Sequence, residues 1–144
     1  MTSDFRLHHV GWAVANIGAT TEALQALGYV SETTLPEMVD ENFGVSLRFL
    51  CRPSDHLLVE LVQPTRADSS VSALLARGGA GPYHLGYCVD DLSAAALNLR
   101  AGRFRPTTPR LYAPALRMRQ IQFFYRRDTG LIELVEWPTA EPKT

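Results

Sequence analysis

The sequence repeats itself, and this internal repeat constrains the fold more than any other feature. The segment LHHVGWAVANIGATTEALQALGYV at 7–30 is similar to YHLGYCVDDLSAAALNLRAGRFR at 83–105. His9-Val-Gly11 corresponds to His84-Leu-Gly86, so the two histidines lie 75 residues apart. A repeat of this kind indicates two similar supersecondary units. We expect them to pack together, because one such unit cannot bury its hydrophobic face alone.

A second pair of segments extends the repeat. LLVELVQP at 57–64 is similar to LIELVEWP at 131–138, and Glu60 corresponds to Glu133, 73 residues further on. Each glutamate interrupts a run of apolar residues. A carboxylate inside an apolar strand is costly unless it is paired or binds a metal. Each half of the chain therefore carries a histidine early and a glutamate late.

The apolar patterning predicts the same order of elements in both halves. A chain of 144 residues suits one domain. We expect a single α+β domain over 1–144, built from two βαβββ modules at about 5–66 and 82–138 with a linker at 67–81. Their curved mixed sheet would form a half-barrel around a central cleft. The predicted strands are 7–15, 28–34, 44–51, 56–63, 83–90, 103–108, 119–126 and 130–136, and the predicted helices are 18–27, 69–77 and 91–101.

Pseudo-twofold packing of the modules would bring equivalent residues toward one centre. His9, Glu60, His84 and Glu133 are the candidates, and together they offer two imidazoles and two carboxylates. This mixed nitrogen and oxygen set suits one divalent ion of Mn, Fe, Co or Ni, with Zn also possible. Strict alternation along a strand predicts that His8 points to the opposite face from His9.

These motifs resemble the vicinal oxygen chelate superfamily, which includes glyoxalase I, extradiol dioxygenases and bleomycin-resistance proteins. Within it, the sequence is most similar to methylmalonyl-CoA epimerase-like proteins. The matching segments are HHVGWAV, GVSLRFL, LVELVQP, GPYHLGYCVDDL and TGLIELVE. The resemblance implies paired βαβββ modules and a metal held by His9, Glu60, His84 and Glu133. The epimerases commonly have Gln at the position of Glu60, whereas bacterial-type glyoxalase I has Glu.

The resemblance also implies a chemistry. The metal would stabilise the enolate of a small acyl thioester or 2-oxo acid, as in an isomerase or epimerase. Leu47 stands where the epimerases carry a glutamate base, so Glu60 and Glu133 would have to serve as both ligands and bases. Gln120 and Gln122 share one strand face, and with Leu47 they are candidates to contact the substrate.

Two other functions stay open: a non-catalytic protein of the bleomycin-resistance type that binds a drug-like molecule, and a glyoxalase-like lyase. Eight arginines and no acidic residue lie in 100–127. They form either a solvated face or a contact for a substrate linked to coenzyme A or a carrier protein.

Composition limits the possible partners and location. A net charge of −1 argues against nucleic acid, and no apolar run approaches the ~18 residues of a membrane span. Asp4 and Arg6 interrupt any signal peptide, so we expect a cytoplasmic protein. The resemblance suggests a homodimer.

Overall fold

Ten strands and three α-helices make up residues 4–140, the part of the chain that this computed structural model describes. The strands are β1 (Arg6–Ala13), β2 (Val30–Ser31), β3 (Met38–Asp40), β4 (Val45–Arg52), β5 (Leu57–Pro64), β6 (Gly81–Val89), β7 (Arg105–Pro106), β8 (Leu111–Ala113), β9 (Arg119–Arg126) and β10 (Gly130–Glu136). The helices are α1 (Ile17–Leu24), α2 (Ser70–Gly78) and α3 (Leu92–Ala101). The α+β class with two βαβββ units is confirmed.

The second strand of each module differs from the prediction. Each is split into two short strands, β2 and β3 in the first module and β7 and β8 in the second. Pro36 lies between β2 and β3, and Pro109 lies between β7 and β8. Proline has no N–H to donate to a neighbouring strand, so a continuous ladder cannot pass through these positions. The two breaks are 73 residues apart, the same step as the glutamates.

One mixed sheet carries both modules. Its strand order is β2-β4-β5-β1-β6-β10-β9-β7, with β3 beside β4 and β8 beside β9. β1 and β6 are antiparallel at the centre, whereas β5 runs parallel to β1 and β10 runs parallel to β6. This order is symmetric about the β1–β6 pair. The described strands do not close into a barrel, because β2 and β7 end the sheet at opposite edges.

The helices cover the outer face of this sheet. The side chain of Asn16 caps α1 and that of Asp91 caps α3, each by accepting a backbone N–H of the first turn. α1 packs on a cluster that contains Val59 and Leu61, and α3 packs on one that contains Ile132 and Leu134. Since side chains alternate along a strand, the glutamate between each pair points to the inner face. None of the described helices is long and apolar enough to span a membrane.

Candidate metal centre

The two His-x-Gly motifs fit into each other across the central strand pair. In the β1–β6 register His9 lies opposite Gly86, and Gly11 lies opposite His84. A Cβ atom added at Gly86 would overlap the His9 imidazole, and one at Gly11 would overlap that of His84. Each glycine therefore provides the space that the other module's histidine ring occupies. The motif is repeated because each half depends on the other.

The glutamates reach the same point from the flanking strands. Glu60 on β5 lies beside Gly11, and Glu133 on β10 lies beside Gly86. All four side chains are buried, and each offers one ligand atom within 4.8 Å of the other three. The convergence of His9, Glu60, His84 and Glu133 is the arrangement that pseudo-twofold packing predicts.

The separations inside this cluster suit a metal ion. His9 Nε2 lies 3.1 Å from His84 Nε2 and 2.9 Å from Glu133 Oε1. Glu60 Oε1 is 3.6 Å from His9 Nε2 and 3.4 Å from His84 Nε2. Neighbouring ligands on an octahedron with bonds of about 2.1 Å are roughly 3 Å apart. The donor atoms and their spacing therefore fit a divalent first-row metal, which agrees with the sequence prediction.

Electrostatics couples the imidazoles to the carboxylates. Burial lowers the pKa of His84, but hydrogen bonds to Glu133 and Glu60 outweigh it and raise the pKa to about 9. Burial raises the pKa of Glu133, but hydrogen bonds from His84 and His9 outweigh it and hold the pKa at about 2. A histidine must be neutral to bind a metal. Metal binding near neutral pH must therefore release a proton from this cluster.

His8 does not face away from the centre, so the prediction from strict alternation is wrong. The β1–β6 register shifts between Leu7 and His9, which places a bulge at His8. His8 is buried, stacks on Trp137 and lies with its Nδ1 atom 2.9 Å from Nδ1 of His9. A contact there orients the His9 ring so that Nε2 points at the other ligands.

A cavity of about 580 Å³ opens onto the cluster, with Glu60 and Glu133 in its wall. Leu47 lines it, as predicted for a residue near the substrate. Gln120 and Gln122 do not. They alternate with the cavity-lining Ile121 and Phe123, and Gln122 Nε2 donates to the Thr108 carbonyl at 3.0 Å. A contact between these glutamines and the substrate stays a prediction that this placement does not support.

Asp40 is a cavity residue that the sequence reasoning missed. It is 2% exposed, lines the cavity and accepts the Asn42 N–H at 2.9 Å. Asp40 pairs with Val45, which places its side chain on the inner face beside Leu47. Burial raises the pKa of Asp40, and the charges of Glu60 and Glu133 add to that increase. Its position three residues after a proline on a short strand gave no periodic pattern to indicate burial.

The arginines of 100–127 lie outside the cavity. None of them is among the described residues that line it. Arg117 and Arg119 lie against the Trp137 ring, and Arg105 lies over that of Tyr125. Several of these side chains therefore pack on aromatic surface, as expected for amphipathic arginines at a sheet face.

Comparisons with known proteins place this geometry among related folds. The glyoxalase/bleomycin resistance protein/dioxygenase superfamily matches residues 8–123. The comparison with curated proteins gave no match.

Solved structures with the same fold include methylmalonyl-CoA epimerases. The Mycobacterium tuberculosis enzyme is 27% identical, with a TM-score of 0.78 over 90% of this chain and 86% of that one. A Streptomyces coelicolor variant in complex with 2-nitronate-propionyl-CoA is 29% identical, with a TM-score of 0.76 over 90% and 95%. A methylmalonyl-CoA epimerase in complex with methylmalonyl-CoA and NH4+ is also 29% identical, with a TM-score of 0.76 over 91% and 93%.

Proposed function

Because the chain belongs to the glyoxalase/bleomycin resistance protein/dioxygenase superfamily, we propose that it is a metal-dependent isomerase. The reaction moves a proton on the carbon next to the carbonyl of a small acyl thioester or 2-oxo acid. The observation that carries the proposal is the convergence of His9, Glu60, His84 and Glu133 at the wall of a cavity. The similarity to methylmalonyl-CoA epimerases supports the same class of reaction.

The four converging side chains would hold one divalent ion of Co, Ni, Mn, Fe or Zn. Bound there, the ion would act as a Lewis acid that stabilises negative charge on the substrate carbonyl oxygen. The two imidazoles contribute neutral nitrogen ligands, and each is held over a glycine that leaves it no room to turn. The carboxylates have a second task, because no other base lies where the family commonly has one.

Glu133 is the base in this proposal. The α-carbon–hydrogen bond breaks, the proton moves to a Glu133 carboxylate oxygen, and the bonding electrons move toward the carbonyl oxygen. Glu60, protonated at the start, gives its proton to the opposite face of the same carbon, which inverts it. Leu47 lines the cavity but cannot transfer a proton. Return of the proton from Glu133 to the original face would give exchange without inversion.

Wash-in of deuterium at the α-carbon tests this function directly. Metal-loaded protein in D₂O should exchange the α-proton of at least one acyl thioester, with the exchange followed by NMR or mass spectrometry. Glu133→Gln keeps an oxygen that can bind the metal but loses the base, so it should abolish exchange while metal stays bound. Glu22→Gln, an exposed carboxylate far from the cavity, is the control.

Two outcomes would contradict the proposal. Exchange that persists in Glu133→Gln would remove Glu133 as the base. Absence of exchange over a broad panel of thioesters and 2-oxo acids, with metal bound, would favour the alternative of a non-catalytic protein. The mainly apolar wall of the cavity is the observation that supports this alternative, since such walls are typical of sites that bind drug-like molecules. A glyoxalase-like lyase is the third candidate, supported by Glu60 in the ligand set.

A further inference from the structure

The wall of the cavity distinguishes which substrates can enter it. Apolar side chains from both modules face the cavity, among them Val45, Leu47, Val62, Leu111, Ile121 and Phe123. Building on the proposed function, we infer that the α-carbon of the substrate carries an uncharged, apolar substituent rather than a carboxylate. The substrate class is then a branched acyl thioester, whose thioester carbonyl faces the metal ligands and whose hydrocarbon part packs on this wall.

The charges around the cavity support this inference. No lysine or arginine is among the residues that line it within 4–140. The carboxylates of Glu60 and Glu133 would together balance the two positive charges of a divalent ion, so the centre has no net charge left for a carboxylate on the substrate. Burying an unpaired carboxylate costs several kcal/mol. An anionic substituent therefore finds no cation here.

Asp40 adds a further obstacle to an anion. Its carboxyl group is 2% exposed and belongs to the same cavity wall. If Asp40 is ionised, a substrate carboxylate meets a like charge, and like charges in a low-dielectric site repel strongly. If Asp40 is protonated, the wall still offers no cation. Either state favours a neutral substituent.

Hydroxyl groups in the wall do not change this balance. Thr107, Thr108 and Tyr83 line the cavity and can donate hydrogen bonds. Thr108 Oγ1 also accepts the Phe123 N–H at 3.1 Å. These groups are uncharged, so they can orient a carbonyl or hydroxyl oxygen but cannot neutralise a carboxylate. The cavity volume of about 580 Å³ lies in the usual range for small-molecule sites and admits a branched acyl group.

A matched pair of thioesters tests the inference. Methylmalonyl-CoA and 2-methylbutanoyl-CoA share the α-methyl group and the coenzyme, and they differ in a carboxylate against an ethyl group of similar size. Binding to the metal-loaded protein is measured by calorimetry, and α-proton exchange is measured on the same samples. We expect 2-methylbutanoyl-CoA to bind at least about tenfold more tightly. Equal binding, tighter binding of methylmalonyl-CoA, or binding of neither would overturn the inference.

The two readouts separate the substrate class from the reaction. Preferred binding of 2-methylbutanoyl-CoA without exchange of any thioester would uphold the substrate class and refute the isomerase. Exchange with methylmalonyl-CoA together with its tighter binding would uphold the isomerase and refute the substrate class.

An added cation provides a second test. Leu111 lines the cavity, whereas Tyr112, the next residue on β8, is 56% exposed. Leu111→Arg should raise the affinity for methylmalonyl-CoA relative to 2-methylbutanoyl-CoA by about tenfold, and Tyr112→Arg should leave that ratio unchanged. A folded Leu111→Arg protein with the wild-type ratio would refute the role of charge. If thermal unfolding shows that this variant does not fold, the wild-type comparison decides.

Discussion

Gly86→Ala tests whether the paired His-x-Gly motifs build the metal centre. The added Cβ would come closer than 3.0 Å to three ring atoms of His9, a distance that real Cβ atoms essentially never show. The His9 ring would have to move by about 1 Å, because packed interiors have no free space to absorb the overlap. His9 Nε2 now lies 3.1 Å from His84 Nε2 and 2.9 Å from Glu133 Oε1. Metal–ligand distances tolerate only about 0.2 Å of error, so a shift of this size removes one ligand.

The expected loss is large and specific. Changes in residues that merely support a ligand reduce metal affinity by about 10–100-fold, so displacing His9 itself should cost at least about 100-fold. The overlap should also lower the free energy of unfolding by about 1–3 kcal/mol, as overpacking of a core does. Metal affinity is measured by calorimetric titration with Co²⁺ or Mn²⁺. Unfolding of the metal-free protein is measured separately by chemical denaturation.

Gly78→Ala is the matched control. It makes the same change at the last residue of α2, where the added Cβ would meet nothing within 4 Å. This variant should bind metal as tightly as the wild type. Gly11→Ala should reproduce the effect of Gly86→Ala through the His84 ring. A Gly86→Ala protein that folds and binds metal with wild-type affinity would refute the reasoning.

Three further predictions concern the cluster, its base and the assembly. Because the pKa of His84 is raised to about 9 in the metal-free fold, apparent metal affinity should rise about tenfold per pH unit from pH 7 toward 9. Over the same window the metal-free protein should lose stability, since the His84 contribution is fully present below about pH 6.5 and disappears as the pH passes 9. Calorimetry in buffers of different ionisation enthalpy should detect one released proton, and release of none would contradict the assignment. Leu47→Glu should speed α-proton exchange by restoring a carboxylate on the inner face, and an unchanged rate with metal bound would argue against this position. Light scattering should give a dimer, and a particle of 16.0 kDa at micromolar concentration would exclude it.

The repeat in the sequence was sufficient to predict the ligand cluster. Two motifs at nearly constant spacing imply a pseudo-twofold axis, and a twofold axis brings equivalent residues together. The alternation of apolar residues around Glu60 and Glu133 then fixed which side chains turn away from the helices. The strand bounds follow the prediction within two residues wherever a strand is long enough to have a period.

Short strands and bulges were beyond this reasoning for physical reasons. β3 and β8 have three residues each, too few for alternation to indicate a strand. The bulge at His8 depends on the pairing of β1 with β6, which local sequence does not reveal. Gln120 and Gln122 do share a face, but alternation alone does not say which face lines the cleft. That choice follows from the pairing of Phe123 with Glu133, a contact known only from the register.

The ligand set is symmetric, but its surroundings are not. Asp40 and Ala113 occupy equivalent places, each the last residue of a short strand paired with the inner strand of its module. Both line the cavity, so its first-module side carries a carboxyl group where the second-module side carries a methyl group. His9 likewise has His8 at its Nδ1 atom, whereas His84 Nδ1 has no hydrogen-bond partner among the described residues. A symmetric centre can treat both faces of a planar carbon alike, which suits a reaction that inverts it. The asymmetric wall is what allows the protein to hold one end of a substrate and not the other, and thus to tell an apolar substituent from a charged one.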